Sequence, residues 1–133
     1  TTKWLHGSGT TIGGIVVGHE VARALGARSV FSERENGTMT FRRGLEIKAG
    51  ERVLAVEDVI TTGAQVKETI ETAQQAGGTV VAVASIIDRS AGRAGFSVPF
   101  HSLLAVDFPV YEPDDLPPEL QGSTPIKPGS RKG

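Results

Sequence analysis

The most informative part of the chain is the run Val53-Leu54-Ala55-Val56-Glu57-Asp58-Val59-Ile60-Thr61-Thr62-Gly63-Ala64-Gln65-Val66. Its first four residues are apolar, which is typical of a buried strand, and its last residues begin a helical pattern. Two carboxylates therefore lie at the carboxyl end of a strand, and a turn rich in hydroxyls and glycine opens the next helix. In open α/β sheets, ligands bind at this edge.

The turn that begins at Thr61 suits a phosphate group. The first turn of a helix leaves backbone N–H groups without partners and carries partial positive charge. Gly63 lets the backbone approach closely, and Thr61 and Thr62 add hydroxyl donors. Glu57 and Asp58 suit ribose hydroxyls, which donate hydrogen bonds to carboxylates, or a magnesium ion, which prefers oxygen ligands. The run therefore predicts a site for a phosphorylated sugar.

A second interpretation of the turn needs no ligand. Thr62 and Gln65 fit the pattern T-x-x-Q of a capping box, in which the two side chains bond the free N–H groups at the start of the helix. Both interpretations begin a helix at the same place. They differ in whether the N–H groups are left open to a phosphate.

Strand and helix patterns alternate along the rest of the chain, which favours a parallel sheet with helices on its faces. Residues 1–9 show no clear helix or strand pattern. A turn at Asn36-Gly37 predicts a hairpin inserted into this alternation of strands and helices. The expected helices are Ile12 to Leu25 and Ala64 to Ala76, and the expected strands are Arg28 to Glu33, Thr38 to Arg43, Arg52 to Asp58, Thr79 to Asp88 and Phe100 to Val106.

Apolar residues predict how these elements are buried. The first helix carries an apolar stripe that ends at Leu25, and the long apolar run Thr79 to Asp88 is typical of a strand covered on both faces. Prolines accumulate after Asp107. We therefore expect one domain over residues 1–133, with its core in 10–107 and an extended proline-rich tail in 108–133.

Composition excludes several classes of protein. The chain has 133 residues, a formal net charge of −1 and no cysteine, so disulfides and thiolate metal sites are excluded. A near-neutral charge argues against an electrostatic nucleic-acid binder. No apolar run approaches the roughly 18 residues that a membrane span needs, and no signal-peptide pattern is visible. We expect no nucleic-acid or membrane partner and a cytoplasmic location.

The run from Val53 to Val66 closely resembles the phosphoribosyl-diphosphate (PRPP) motif of type I phosphoribosyltransferases. That motif is a strand, two acidic residues, two small or apolar residues and then Thr-Thr-Gly-Gly. Ala64 stands where the second glycine is common and keeps the backbone N–H. The resemblance implies the α/β fold of this family, an open and mainly parallel sheet flanked by helices.

The same resemblance implies the functional residues. Glu57 and Asp58 would be the catalytic residues. Magnesium would be the cofactor, carried mainly by PRPP with no protein ligand assigned, and the family usually works as a homodimer. The residues implied to bind PRPP are Glu57, Asp58, Val59, Ile60, Thr61, Thr62, Gly63, Ala64 and Gln65.

Other segments narrow the resemblance to the short-loop bacterial orotate branch of the family. They are the hairpin loop from Ser32 to Gly44, Asp88-Arg89 and the closing strand Pro99 to Asp107. The tail Ile126 to Arg131 also resembles the tail of that branch. In that branch Arg89 would grip orotate and Thr61 would contact it. From the residues alone, Arg89 is equally well explained as a surface arginine paired with Asp88.

The implied reaction joins orotate and PRPP to give orotidine 5′-monophosphate and diphosphate, a step of pyrimidine synthesis. Three alternatives remain open. They are a purine-base phosphoribosyltransferase, a regulator that binds PRPP, and an inactive PRPP-binding fragment.

Two loops carry further candidates. Arg34, Arg42 and Arg43 flank the hairpin turn, where basic residues could close over a diphosphate; Arg34 is assigned to PRPP, and a solvated hairpin is the alternative for the other two. The segment from Gly9 to Gly14 resembles the family's diphosphate loop without its usual Pro-Ala pair, and helix capping by Thr11 is its alternative. The family has a further N-terminal segment before this loop, and we expect the chain to lack it.

Overall fold

The computed structural model describes residues 2–7, 12–41 and 44–124. Within them the chain forms one six-stranded sheet with two helices. The strands are β1 (Thr2–Gly7), β2 (Ser29–Glu35), β3 (Thr38–Phe41), β4 (Arg52–Ile60), β5 (Thr79–Asp88) and β6 (Phe100–Ala105), and the helices are α1 (Ile12–Ala24) and α2 (Ala64–Gln75). The strand order is β3-β2-β1-β4-β5-β6.

The sheet is mainly parallel, as the alternation of patterns predicts. The β1, β2, β4, β5 and β6 strands pair in parallel, and β3 joins the edge by an antiparallel pairing with β2. The hairpin is therefore confirmed. Its turn at Asn36-Gly37 has positive φ at both residues, 49° and 82°, as the Asn-Gly signal demands.

The first strand corrects the sequence analysis. Thr2–Gly7 forms β1 in the middle of the sheet, between β2 and β4, whereas no strand was expected before the first helix. The expected core limit at residue 10 leaves this strand out. Its sequence, TKWLHG, shows neither strict alternation nor a continuous apolar run, so the strand is specified by pairing with both neighbours.

The two helices lie on opposite faces of the sheet. The chain leaves β1 through α1 toward one edge and leaves β4 through α2 toward the other, and right-handed crossovers then place the helices on opposite sides. The contacts of β4 side chains agree with this placement. Val53 and Ala55 share a core with α2 residues such as Ile70, while Val56 lines a groove with Val17 of α1. The adjacent β1 and β4 strands are thus the point where the winding reverses, and clefts form at such points.

The face that carries α1 is covered less completely than the apolar patterns predict. Val83 in β5 is fully buried, but Ile86 in the same strand stays 39% exposed. Leu25, expected in the buried stripe of the first helix, lies beyond α1 and is exposed. The strand Thr79–Asp88 is therefore covered on one face along its length and on the other only in part.

The connection from β5 to β6 crosses without a helix. Residues 89–99 form a loop on the α2 face, where Ala94 is buried in the core and Phe96 packs against it. Between β6 and residue 124, where the described residues end, the chain is irregular except for a short 3₁₀ turn at Pro118–Leu120. In the described ranges no helix is both long and apolar enough to cross a membrane.

Candidate functional site

A cavity of about 610 Å³ lies at the carboxyl end of β4. It is formed by the end of β4, the turn into α2, the end of β2 and the start of the loop after β5. Every residue predicted to bind PRPP or orotate lines it. The lining residues are Arg34, Glu57, Asp58, Val59, Ile60, Thr61, Thr62, Gly63, Ala64, Gln65, Val66, Glu68 and Arg89.

The turn into α2 leaves the start of the helix open. Gly63 occupies the N-cap position with φ 78°, and no side chain caps the helix. The Ala64 N–H points to the Thr62 hydroxyl at 3.3 Å, a long contact two residues ahead rather than the contact with Gln65 that a capping box makes. The capping box is therefore not formed. The first-turn N–H groups of α2 face a cavity that an anion can enter.

Gly63 is needed for its backbone and for its lack of a side chain. Its φ lies in the left-handed region, and an added Cβ would come within 3.1 Å of both Ala94 and Phe96. The loop that follows β5 therefore packs directly against this turn. Close packing here fixes the turn that opens toward the cavity.

Glu57 is a buried carboxyl group with one unpartnered oxygen. It is only 4% exposed, its Oε1 accepts the Asp58 N–H at 3.1 Å, and its Oε2 has no hydrogen-bond partner among the described residues. Burial raises the pKa of Glu57 to about 8, and the neighbouring Asp58 side chain adds to the rise. Near neutral pH the free site thus holds a protonated carboxyl, which can both donate to and accept from a ligand hydroxyl.

Asp58 lies against the start of α1. Its Oδ1 accepts the Val59 N–H at 2.8 Å, and its Oδ2 occupies the space that a Cβ at Gly13 would take. Only glycine lets the helix come this close to the carboxylate. The positive end of α1 favours a negative charge there. Of the segment Gly9 to Gly14, residues 9–11 lie outside the described residues, and so do Arg42, Arg43 and the tail Ile126 to Arg131.

Arg34 reaches the cavity from the last part of β2. Its Nη1 donates to the Gly37 carbonyl at 2.7 Å, and its Nη2 forms an ion pair with Glu68 of α2. Sequence reasoning missed Glu68, although it lies three residues after Gln65 and so on the same face of the helix. The pair joins the hairpin to α2 at the rim of the cavity.

Arg89 lines the cavity at the carboxyl end of β5. Its backbone N–H donates to the Ile60 carbonyl at 2.7 Å, and its guanidinium carbon lies 5.6 Å from the centre of the Phe108 ring. The alternative pairing with Asp88 is not formed, and the Asp88 carboxylate instead accepts the Ser90 N–H at 2.7 Å. Within the described residues, the ion pairs involve other arginines.

The oxygen atoms that line the cavity determine how the expected magnesium ion could be held. Glu57 and Asp58 supply carboxylate oxygens, but no group of three or more His, Asp or Glu side chains that could hold a metal occurs in the described part of the chain. Magnesium keeps several water molecules and binds through one or two carboxylates together with substrate phosphates. The residues present fit that mode of binding rather than a dedicated protein cage.

Comparisons with known proteins show the family to which the chain belongs. The model of the phosphoribosyl transferase domain matches residues 9–96. The chain is 52% identical over 120 residues to an orotate phosphoribosyltransferase of Novosphingobium aromaticivorans and 55% identical over 123 residues to one of Thermotoga maritima. These matches cover 90% and 92% of the chain but 62% and 66% of the two relatives, so the chain spans less than two thirds of their length.

Solved structures share the fold. An adenine phosphoribosyltransferase of Rhodothermus marinus superposes with a TM-score of 0.63 at 26% identity, covering 79% of this chain and 70% of its own. An orotate phosphoribosyltransferase of Mycobacterium tuberculosis, solved with inorganic phosphate, gives 0.60 at 28% identity and covers 79% and 61%. Enzymes named for different bases thus share this architecture. With two thirds of its residues matched by the domain model and the motif at the edge of the expected sheet, the chain belongs to the phosphoribosyl transferase domain family.

Proposed function

We propose that the chain carries the catalytic site of an orotate phosphoribosyltransferase, which transfers the 5-phosphoribosyl group from PRPP to orotate in pyrimidine biosynthesis. One observation carries the proposal: a single cavity unites the two carboxyl groups at the end of β4, an uncapped helix start and two arginines. The names of the relatives at 52% and 55% identity support orotate as the acceptor.

Each part of the cavity matches one part of PRPP. The 5′-phosphate lies over the uncapped start of α2, where it accepts hydrogen bonds from the N–H groups and hydroxyls of Thr61 to Gln65. The ribose hydroxyls contact Glu57 and Asp58, which gives Glu57 Oε2 the partner it lacks. Arg34 at the rim interacts with the phosphates.

The reaction exchanges one bond at the anomeric carbon for another. The bond to the diphosphate oxygen breaks, the diphosphate leaves with the electron pair, and a ring nitrogen of orotate forms the new bond. Positive charge develops on the ribose, and the Asp58 carboxylate below it stabilises that charge. Arg89 holds orotate by hydrogen bonds so that its nitrogen faces the reacting carbon. A magnesium ion carried by PRPP would supply positive charge to the departing diphosphate, and Glu57 and Asp58 would be the carboxyl groups of this cavity able to hold it.

A direct assay tests this function. Purified chain is mixed with PRPP, magnesium and either orotate or adenine, and the nucleotide product is identified by mass spectrometry. We expect orotidine 5′-monophosphate, and we expect Asp58→Asn to lower turnover at least about 100-fold while the melting temperature stays close to that of the unchanged chain. A Glu71→Gln variant, changed on the exposed side of α2 outside this cavity, serves as the matched control.

Two results would contradict the proposal. Product from adenine and none from orotate would assign the chain to a purine-base enzyme, a possibility raised by the fold shared with adenine phosphoribosyltransferases. PRPP binding without turnover of either base would support an inactive PRPP-binding fragment. Sedimentation of the active form tests the proposed homodimer, and cell fractionation tests the proposed cytoplasmic location.

A further inference from the structure

The Arg89 side chain binds a ligand best when another group restrains it. The Arg89 residue is exposed, and a free arginine side chain loses rotamer freedom when a ligand fixes it. No carboxylate of the described residues forms an ion pair with it. The backbone bond to Ile60 fixes where the side chain starts but not where the guanidinium points.

Phe108 supplies the contact that the carboxylates do not. The Val106 N–H donates to the Asp88 carbonyl at 2.8 Å, and Ala105 pairs with Asp88 across β5 and β6. The end of β6 is thereby fixed beside the end of β5, and Phe108 follows two residues later. Its ring lies 5.6 Å from the Arg89 guanidinium carbon, within the range of a cation–π interaction.

Burial does not account for the position of Phe108. The side chain remains 59% exposed and does not belong to the hydrophobic core. Attraction to the ring face uses no oxygen acceptor, so it restrains the guanidinium without a competing carboxylate. The N–H groups of Arg89 stay available for a planar, negatively charged ligand.

We propose that Phe108 is a positioning residue that sets the affinity of the site for the acceptor base by restraining the guanidinium of Arg89, which lines the cavity. This inference rests on the proposed function, in which Arg89 binds orotate. Phe108 acts through Arg89, so it should influence the base and leave the phosphoribosyl part of the ligand unaffected.

Two ligands separate these effects. Orotidine 5′-monophosphate carries the base, whereas ribose 5-phosphate carries only the sugar and phosphate. Calorimetric titration of Phe108→Leu should show orotidine 5′-monophosphate binding weakened about two- to fivefold, with ribose 5-phosphate affinity unchanged. Phe108→Tyr keeps the ring and should retain the affinity of the unchanged chain. Tyr111→Leu, which changes an exposed aromatic residue in the same segment, should change the affinity for neither ligand.

A double mutant isolates the path through Arg89. In an Arg89→Ala background, Phe108→Leu should cause no further loss. An equal loss in both backgrounds, or equal weakening of both ligands, would overturn the inference while leaving the proposed function intact. If the unchanged chain bound orotidine 5′-monophosphate no more tightly than ribose 5-phosphate, the base site itself would be refuted, and the inference with it.

Discussion

At the scale of single residues, Glu57 combines burial, an unpartnered oxygen and a raised pKa. A carboxyl whose pKa rises from 4.5 in the unfolded chain to about 8 in the folded one binds more protons when folded. Its contribution to stability is therefore present in full below pH 4.5 and is lost as pH rises through 8. The burial that leaves Glu57 Oε2 without a partner thus also makes the free site sensitive to pH.

Glu57→Gln should remove this pH dependence. The amide is neutral at every pH, so we expect the unchanged chain to lose roughly 1 to 3 kcal/mol more than the variant between pH 5 and pH 8. Urea denaturation at the two pH values measures the difference. Parallel curves for both proteins would show that the Glu57 pKa is not raised, and Glu71→Gln on the exposed side of α2 provides the control.

Gly13 should matter to the site more than to stability. In Gly13→Ala the new Cβ displaces the Asp58 carboxylate, and small displacements of reacting groups lower turnover by about 10- to 100-fold. The cost to folding stays small, because the side chain can shift and alanine favours the helix. Turnover and melting temperature measure the two effects. In an Asp58→Ala background there is no carboxylate to displace, so Gly13→Ala should leave ribose 5-phosphate affinity unaltered.

At the scale of elements, the start of α2 distinguishes a cap from a binding site. An N-cap threonine contributes about 1 kcal/mol, but Thr62 forms no cap. We expect Thr62→Ala to change the free energy of unfolding by less than about 0.5 kcal/mol and to weaken ribose 5-phosphate binding. Thr38→Ala on β3, outside this cavity, is the matched control. A stability loss near that of a true cap, with ligand affinity unchanged, would favour the capping box.

At the scale of the whole molecule, the sheet has one well-packed face. Val83→Ala removes buried methyl groups from β5 and should lower the free energy of unfolding by about 2 kcal/mol. Leu103→Ala in β6, where the side chain is 85% exposed, should change it by less than about 0.5 kcal/mol. Denaturation midpoints test both. Equal effects would mean that a partner covers β6 in solution.

The sequence predicts most of this architecture, and the exceptions have physical causes. The run through Glu57 and Asp58 carries its own strand, turn and helix signals, so local chemistry was enough to locate the cavity. β1 was missed because pairing with two neighbours specifies it. Glu68 and Phe108 were missed because they reach Arg34 and Arg89 across elements distant in the chain. The low solvent access of Glu57 likewise depends on the assembled fold.

The packing of Ala94 and Phe96 against Gly63 has a consequence for the kinetics of recognition. The loop that begins at Arg89 cannot swing outward without withdrawing Ala94 from the core. Such an opening would leave a cavity and so would be rarely populated. The backbone of Arg89 is therefore in place before the acceptor base arrives. Opening of this loop should add no slower phase to association of the base, as stopped-flow measurement would show.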